Sequence, residues 1–230
     1  MKIKIFFFGL ILFLCAGVLQ AGDIARFVNL GFSDNHRYFM FAQYGVDEES
    51  TFPYVDLFLV DIQANQFVSQ GVKNVVYKTP SEPGFTGEGG LYTVLEENLS
   101  IRKRYNINHL NTGRILYLLV DGEKPKERID FRDFITGNQY RVELTQNASG
   151  GDSDIRSSFH IDLNVTLKSG ASRHYLIGLP NHQRMGVKSY RVRQILISPD
   201  EKSLIFLVEK EERDKTGSNI RYMIETVRIN

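Results

Sequence analysis

The chain has 230 residues, 42% of them hydrophobic and 24% charged. Those proportions are globular and exclude a disordered, collagenous or coiled-coil protein. Lys and Arg number 28 against 27 Asp and Glu, a formal charge of +1, without the basic excess of a dedicated nucleic-acid binder. A single Cys excludes an intramolecular disulfide framework and a cysteine-based zinc site.

The chain opens on Met1-Lys2-Ile3-Lys4, a short basic stretch. Residues 5–14 are apolar apart from Gly9, and the small residues Ala16-Gly17 and Ala21-Gly22 follow. A basic start, a short apolar run and a small-residue exit describe a secretory signal peptide. Cleavage is expected after Ala21, leaving 22–230 as a single β-rich secreted domain. The apolar run is too short for a good membrane span, although an uncleaved anchor is the alternative. Cys15 offers a lipoprotein alternative, but bulky Leu14 stands where a small residue normally precedes a lipidated cysteine. The expected location is extracellular or periplasmic. The mature chain would be slightly acidic, free of cysteine and without a further transmembrane span.

Most of the remainder has strand character. Strands are expected at 37–44, 54–62, 114–120, 139–145, 159–168, 173–179, 190–197, 203–210 and 220–229. Residues 159–168 alternate without a break. Phe159, Ile161, Leu163, Val165 and Leu167 face one way, and His160, Asp162, Asn164, Thr166 and Lys168 the other. This is the signature of a half-buried antiparallel strand. Residues 114–120 look fully buried. One helix is expected around residues 90–105, where Leu91, Val94, Leu95, Leu99, Ile101 and Tyr105 share half of the wheel. The fold class is therefore mainly β (α+β): antiparallel β-meanders, blade-like at both ends, with one amphipathic helix.

The blade-like reading rests on an internal echo. Ser33-Asp34-Asn35-His36-Arg37 and Ser198-Pro199-Asp200-Glu201-Lys202 each join two apolar runs, and Phe41 and Phe206 fall in the same register. The pattern resembles the Ser-Pro-Asp-Gly turn of a TolB-type β-propeller blade. Asp34-Asn35-His36 departs from that pattern, and two copies do not make a complete propeller. The chain as a whole resembles an uncharacterised family of predicted secreted bacterial proteins, domain of unknown function 2259. The resemblance is carried by Asn29-Leu30-Gly31-Phe32-Ser33, Arg37-Tyr38-Phe39, Phe52-Pro53-Tyr54-Val55-Asp56, Ser189-Tyr190-Arg191-Val192 and Arg221-Tyr222. It implies export and adds no catalytic residue.

The candidate chemistry is sparse. His160, Asp162 and His174 lie on one strand face and its neighbour, and could form a His/carboxylate metal site. Asn98 and Arg102, four residues apart, fall within the apolar half of the helix. They could point into a ligand pocket beneath it, unless Arg102 runs along the surface with its head in water. Arg191 and Arg193 share a face on a regular strand and could receive an anionic group. No nucleophile elbow, P-loop or cofactor motif is present, so no catalytic residue and no cofactor is assigned. The leading expectation is a non-enzymatic envelope protein that binds an envelope protein or an anionic envelope component. The alternatives are an exported metal-dependent hydrolase and a small-anion or ligand binder under the helix.

Overall fold

A computed structural model describes residues 22–151, 154–213 and 217–229. The leader 1–21, with its cleavage point and Cys15, lies outside them. Strands β1 (Arg26–Ser33), β2 (Tyr38–Val46), β3 (Pro53–Asp61) and β4 (Gln66–Phe67) form an antiparallel meander, and β5 (Lys73–Val76) also pairs with β3. After helices α1 (Glu88–Glu97) and α2 (Leu99–Arg104), β6 (Ile107–Asn108) returns to β1 and completes sheet I. Strand β7 (Arg114–Leu118) opens sheet II. Sheet III follows as β8 (Arg128–Arg132), β9 (Gln139–Ser149), β10 (Arg156–Thr166) and β11 (Ser172–Gly178), with β12 (Arg184–Met185) added to β10. The chain then closes sheet II with β13 (Val187–Ile197), β14 (Ser203–Arg213) and β15 (Ser218–Arg228), in the order β15-β14-β13-β7. Strand takes up 54% and helix 9%, so the chain is mainly β.

Sheet II lies between the other two, and its sequence explains why. Ser203 through Glu209 are all buried. Leu204, Phe206 and Val208 pack with Phe159, Ile161 and Leu163 of sheet III. The residues between them, Ile205 and Leu207, pack with Phe32, Phe39 and Phe41 of sheet I. A strand covered on both faces reads as a continuous apolar run, and β14 is one. Strand β2 is another. Its Phe39 and Phe41 face sheet II, while Met40 and Ala42 face Leu91 and Val94 of α1. Strand β10 has one covered face: Phe159, Ile161, Leu163 and Val165 are completely buried, and the polar residues between them face outward. The layers therefore run helix, sheet I, sheet II, sheet III.

One local expectation is corrected and one is refined. Strand β7 is not fully buried: Ile115 is 54% and Leu118 47% exposed. Among the described residues it pairs only with β13, at the edge of sheet II, so an apolar run reports a covered strand only when neighbours lie on all sides. The expected helix is present, with a break at Asn98 between α1 and α2. Asn98 leaves helical geometry at φ −109°, and its Nδ2 donates to the Val94 carbonyl at 2.8 Å. An Asn side chain that bonds nearby backbone competes with helix propagation.

The echoing turns share one set of bonds. The Ser33 hydroxyl donates to Asn35 Oδ1 (2.7 Å) and accepts the Tyr38 N–H (2.9 Å), and His36 N–H donates to the Ser33 carbonyl (2.9 Å). Between β13 and β14 the Ser198 hydroxyl donates to Asp200 Oδ1 (2.6 Å) and accepts the Ser203 N–H (2.9 Å), and Glu201 N–H donates to the Ser198 carbonyl (2.8 Å). His36 and Glu201 occupy the same left-handed position, at φ 58° and 57°. A second pair of turns also matches. Asp61 Oδ1 accepts Gln63 N–H and Asp133 Oδ1 accepts Ile135 N–H, and each turn ends four residues on at positive φ, on Asn65 and Gly137.

Asp133 does more than close its own turn. It takes a two-pronged bond from Arg114 of β7 (2.7 and 2.9 Å) and a third from the Thr136 hydroxyl (2.6 Å). Arg114 also reaches Glu201 at 3.3 Å. The edge of sheet II, the first hairpin of sheet III and one echoing turn are thus joined at the Arg114 guanidinium.

Two outcomes follow from these contacts. The left-handed conformation costs a non-glycine residue about 1 kcal/mol, so His36→Gly should raise the unfolding free energy in urea by that order. Ser198→Ala, which strips a buried backbone N–H of its acceptor, should lower it by about 1–2 kcal/mol. The hydrogen bonds from Arg114 hold the Asp133 carboxyl well below the usual carboxylate range, against the opposing effect of burial. A depressed folded-state pKa stabilises above the unfolded value of about 3.9, and that stability is lost as pH falls towards the folded value. Asp133→Asn should cost roughly 2 kcal/mol at pH 7 and flatten the fall in stability between about pH 5 and pH 2, measured by denaturant melts across that range.

Candidate functional site

The three sheets meet around a cleft of about 410 Å³. Sheet I contributes the β3–β4 turn, with Asn65 and Phe67. Sheet II contributes Met223 and Glu225 from β15. Sheet III contributes Leu179, just after β11, and Arg184 from β12. The size and the mixture of apolar walls with a few polar groups are those of a small-molecule site.

The polar groups are held in place from behind. Asn65 sits at φ 50°, a conformation that Asn tolerates better than most residues. From there its Oδ1 accepts the Thr226 N–H (2.7 Å), and its Nδ2 donates to Glu225 Oε2 (2.5 Å). The β3–β4 turn is thereby fixed to β15, and the Glu225 carboxyl is fixed with it. Arg184 lies over the rings of Phe159 (5.2 Å) and Tyr190 (5.9 Å), and its Nη1 is buried without a hydrogen-bond partner in the protein. A buried donor left unpaired costs about 1–3 kcal/mol. Glu225 is 6% exposed. Burial pushes its carboxyl pKa up, against the Asn65 hydrogen bond and the charge of Arg184, which pull it down. By contrast Phe67 and Leu179 are 47% and 59% exposed, so the protein leaves the apolar lip of the cleft uncovered.

The residues singled out in the sequence lie elsewhere. His160, Asp162 and His174 do come together on the outer face of sheet III: Asp162 Oδ2 is 3.2 Å from His160 Nε2, and Oδ1 is 3.0 Å from His174 Nε2. The carboxylate thus stands between the imidazoles, and each Nε2 faces it rather than a shared centre. Among the described residues no group of three His, Cys, Asp or Glu is placed to hold a metal ion. Asn98 and Arg102 do not form a pair beneath the helix. Asn98 folds onto its own helix at Val94, Arg102 is exposed, and Leu91 and Val94 fill the space below α1. The strand register shifts at Arg193, between Val192 and Gln194, and Arg191 and Arg193 both act on the Tyr222 hydroxyl. Arg191 pairs with the buried Glu209 and Arg193 with Asp121, so both charges already face carboxylates.

Arg184 appears in the sequence only as the first residue of a basic stretch, and Glu225 as one acidic residue between Ile224 and Thr226. An acid beside Ile224 in a strand of a double-covered sheet was the available signal. It was missed because Arg184 and Glu225 converge only through the stacking of sheets II and III.

Fold and cleft together define the class: a mainly β protein of three stacked antiparallel sheets, helix-covered on one side, with a half-apolar cleft where the sheets meet. Within that class the chain belongs to the family described as predicted secreted protein (DUF2259), whose family model matches residues 40–228. No curated protein matches the chain. Among the described residues no helix is long and apolar enough to cross a membrane.

The raised Glu225 pKa sets a sign. An acid whose folded-state pKa lies above its unfolded value of about 4.3 costs stability once pH rises through that window. Glu225→Gln keeps an oxygen for Asn65 and removes the charge. It should leave stability near wild type at pH 4 and raise it by roughly 1 kcal/mol at pH 8, as read from urea melts at the two values.

Proposed function

We propose that the protein is an exported, non-enzymatic binding module of the bacterial envelope, and that the three-sheet cleft is its binding site. The observation that carries this reading is that the Arg184 guanidinium and the Glu225 carboxyl line one cleft with exposed apolar walls. A few polar groups among apolar walls are what fixes a small ligand in a pocket. Export is supported by the description of the family as predicted secreted and by the leader-like residues 1–21. The charge pairs at Arg191 and Arg193 suit a structural role better than capture of an anion, since each would have to exchange a carboxylate it already holds.

Two measurements test the reading. Intact mass of protein recovered from an envelope fraction should correspond to a chain starting at Gly22; a mass that includes residues 1–21 would replace the cleaved leader by an uncleaved anchor, and recovery from the cytosol alone would remove the export step. A thermal-shift panel of small carboxylates, amino acids, sugars and phosphates on the mature chain should contain members that raise the melting temperature by several degrees. Those shifts should vanish in Arg184→Gln. Shifts that persist unchanged in that variant, or a panel with none, would take the site away from this cleft.

A further inference from the structure

We infer that the ligand of the three-sheet cleft is a free α-amino acid with an apolar side chain, its carboxylate on Arg184 and its ammonium on Glu225. This rests on the proposal that the cleft is a binding site, and goes beyond it by assigning the ligand's chemistry.

The first argument is charge. The cleft presents one guanidinium and one carboxylate, from different sheets. An apolar monocarboxylate would satisfy Arg184 but place a second negative charge beside Glu225. An apolar amine would answer Glu225 and leave the Arg184 guanidinium without a counter-charge from the ligand. A zwitterion meets both, and bonds between charged partners are the strong ones. The second argument is shape. Beyond the two charges the walls are apolar, with Phe67 and Leu179 exposed and Met223 partly buried. A branched or aromatic side chain would cover what the protein leaves open, and Met is a side chain that adapts to such a filling. The volume of about 410 Å³ lies near the lower end of small-ligand sites, which favours a compact ligand over an oligomer.

The third argument is preorganisation. Asn65 fixes Glu225 through the turn it anchors on Thr226, and the rings of Phe159 and Tyr190 support Arg184. Neither group has to be ordered at the moment of binding, so little of the interaction is lost to immobilising side chains. A site that holds a backbone-like carboxylate and ammonium in fixed positions, and meets the side chain with soft apolar walls, selects for the amino-acid class more than for one member.

The test is isothermal titration of the mature protein with L-leucine, L-phenylalanine, glycine, 4-methylpentanoate and 3-methylbutylamine. The expected result is binding of leucine or phenylalanine, with the deaminated acid and the decarboxylated amine each at least tenfold weaker and glycine weaker still. In Glu225→Gln the preference for leucine over 4-methylpentanoate should collapse to within about twofold. In Arg184→Gln the preference for leucine over 3-methylbutylamine should do the same. The wild-type ligand series decides the matter even if a variant fails to fold. Equal or tighter binding of 4-methylpentanoate would overturn the amino-acid assignment and leave the cleft a binding site for apolar acids. Absence of binding by all five compounds also overturns it, and the broader thermal-shift panel then decides separately whether the cleft binds anything through Arg184.

Discussion

Sheet II is covered on both faces, and the rest of the architecture answers to that. From Ser203 to Glu209 strand β14 meets no water on either side, and successive side chains enter different cores. A leucine or isoleucine buried from both directions contributes about 1.5–3 kcal/mol relative to an exposed one, so this short run accounts for a large part of what holds the layers together. Sheets I and III then need to supply one apolar face each towards the centre. Sheet III leaves its other face to water, and His160, Asp162 and Asn164 lie there. Sheet I instead hides its second face under α1, which is why β2 and β3 read as apolar on both sides while β10 alternates.

Central placement also explains how sequence-distant turns come to be alike. The serine turns after β1 and β13 are 165 positions apart and share few residue types, yet they use the same hydroxyl, the same acceptor two residues on and the same left-handed fourth position. In the first turn Asn35 replaces the carboxylate of Asp200, and an amide oxygen accepts the same hydrogen bonds. Neither His36 nor Glu201 is the glycine that such a backbone favours, so both turns are held by the bonds around them rather than by intrinsic preference. The matched Asp61 and Asp133 turns extend the likeness to sheet III. Antiparallel meanders are a property of all three sheets, whereas the sequence displayed the matching serine turns only at the two ends.

How much was legible follows from range. Fold class, most strand positions and the alternation of β10 are local periodicities, and they read directly. The break at Asn98 depends on one side-chain bond, which the helical wheel does not see. The exposure of β7 depends on there being no strand on its far side, which no local pattern encodes. The grouping of His160, Asp162 and His174 was legible because neighbouring antiparallel strands make it a short-range event: Asn164 faces His174 directly in register. The cleft was not legible. Asn65, Arg184 and Glu225 span 160 positions and three sheets, and nothing links them before the layers stack.

The same geometry separates the cleft from the other polar clusters. At Arg114 and Asp133, at Arg191 and Glu209, and at Arg221 and Asp23, cation and carboxylate have each other. Such pairs join segments: the last ties the beginning of the described chain to β15, where Ala25 and Ile220 also bond through their backbones. Arg184 and Glu225 break the rule. They face one cavity, yet one is braced by aromatic rings and the other by an amide. A core that needed only stability would have closed them into a pair or replaced both with apolar groups, since a buried pair is often no better than a well-packed hydrophobic substitute. Each is instead oriented by other groups, and both line the same cleft. Rule-breaking positions of this kind are where function is to be sought.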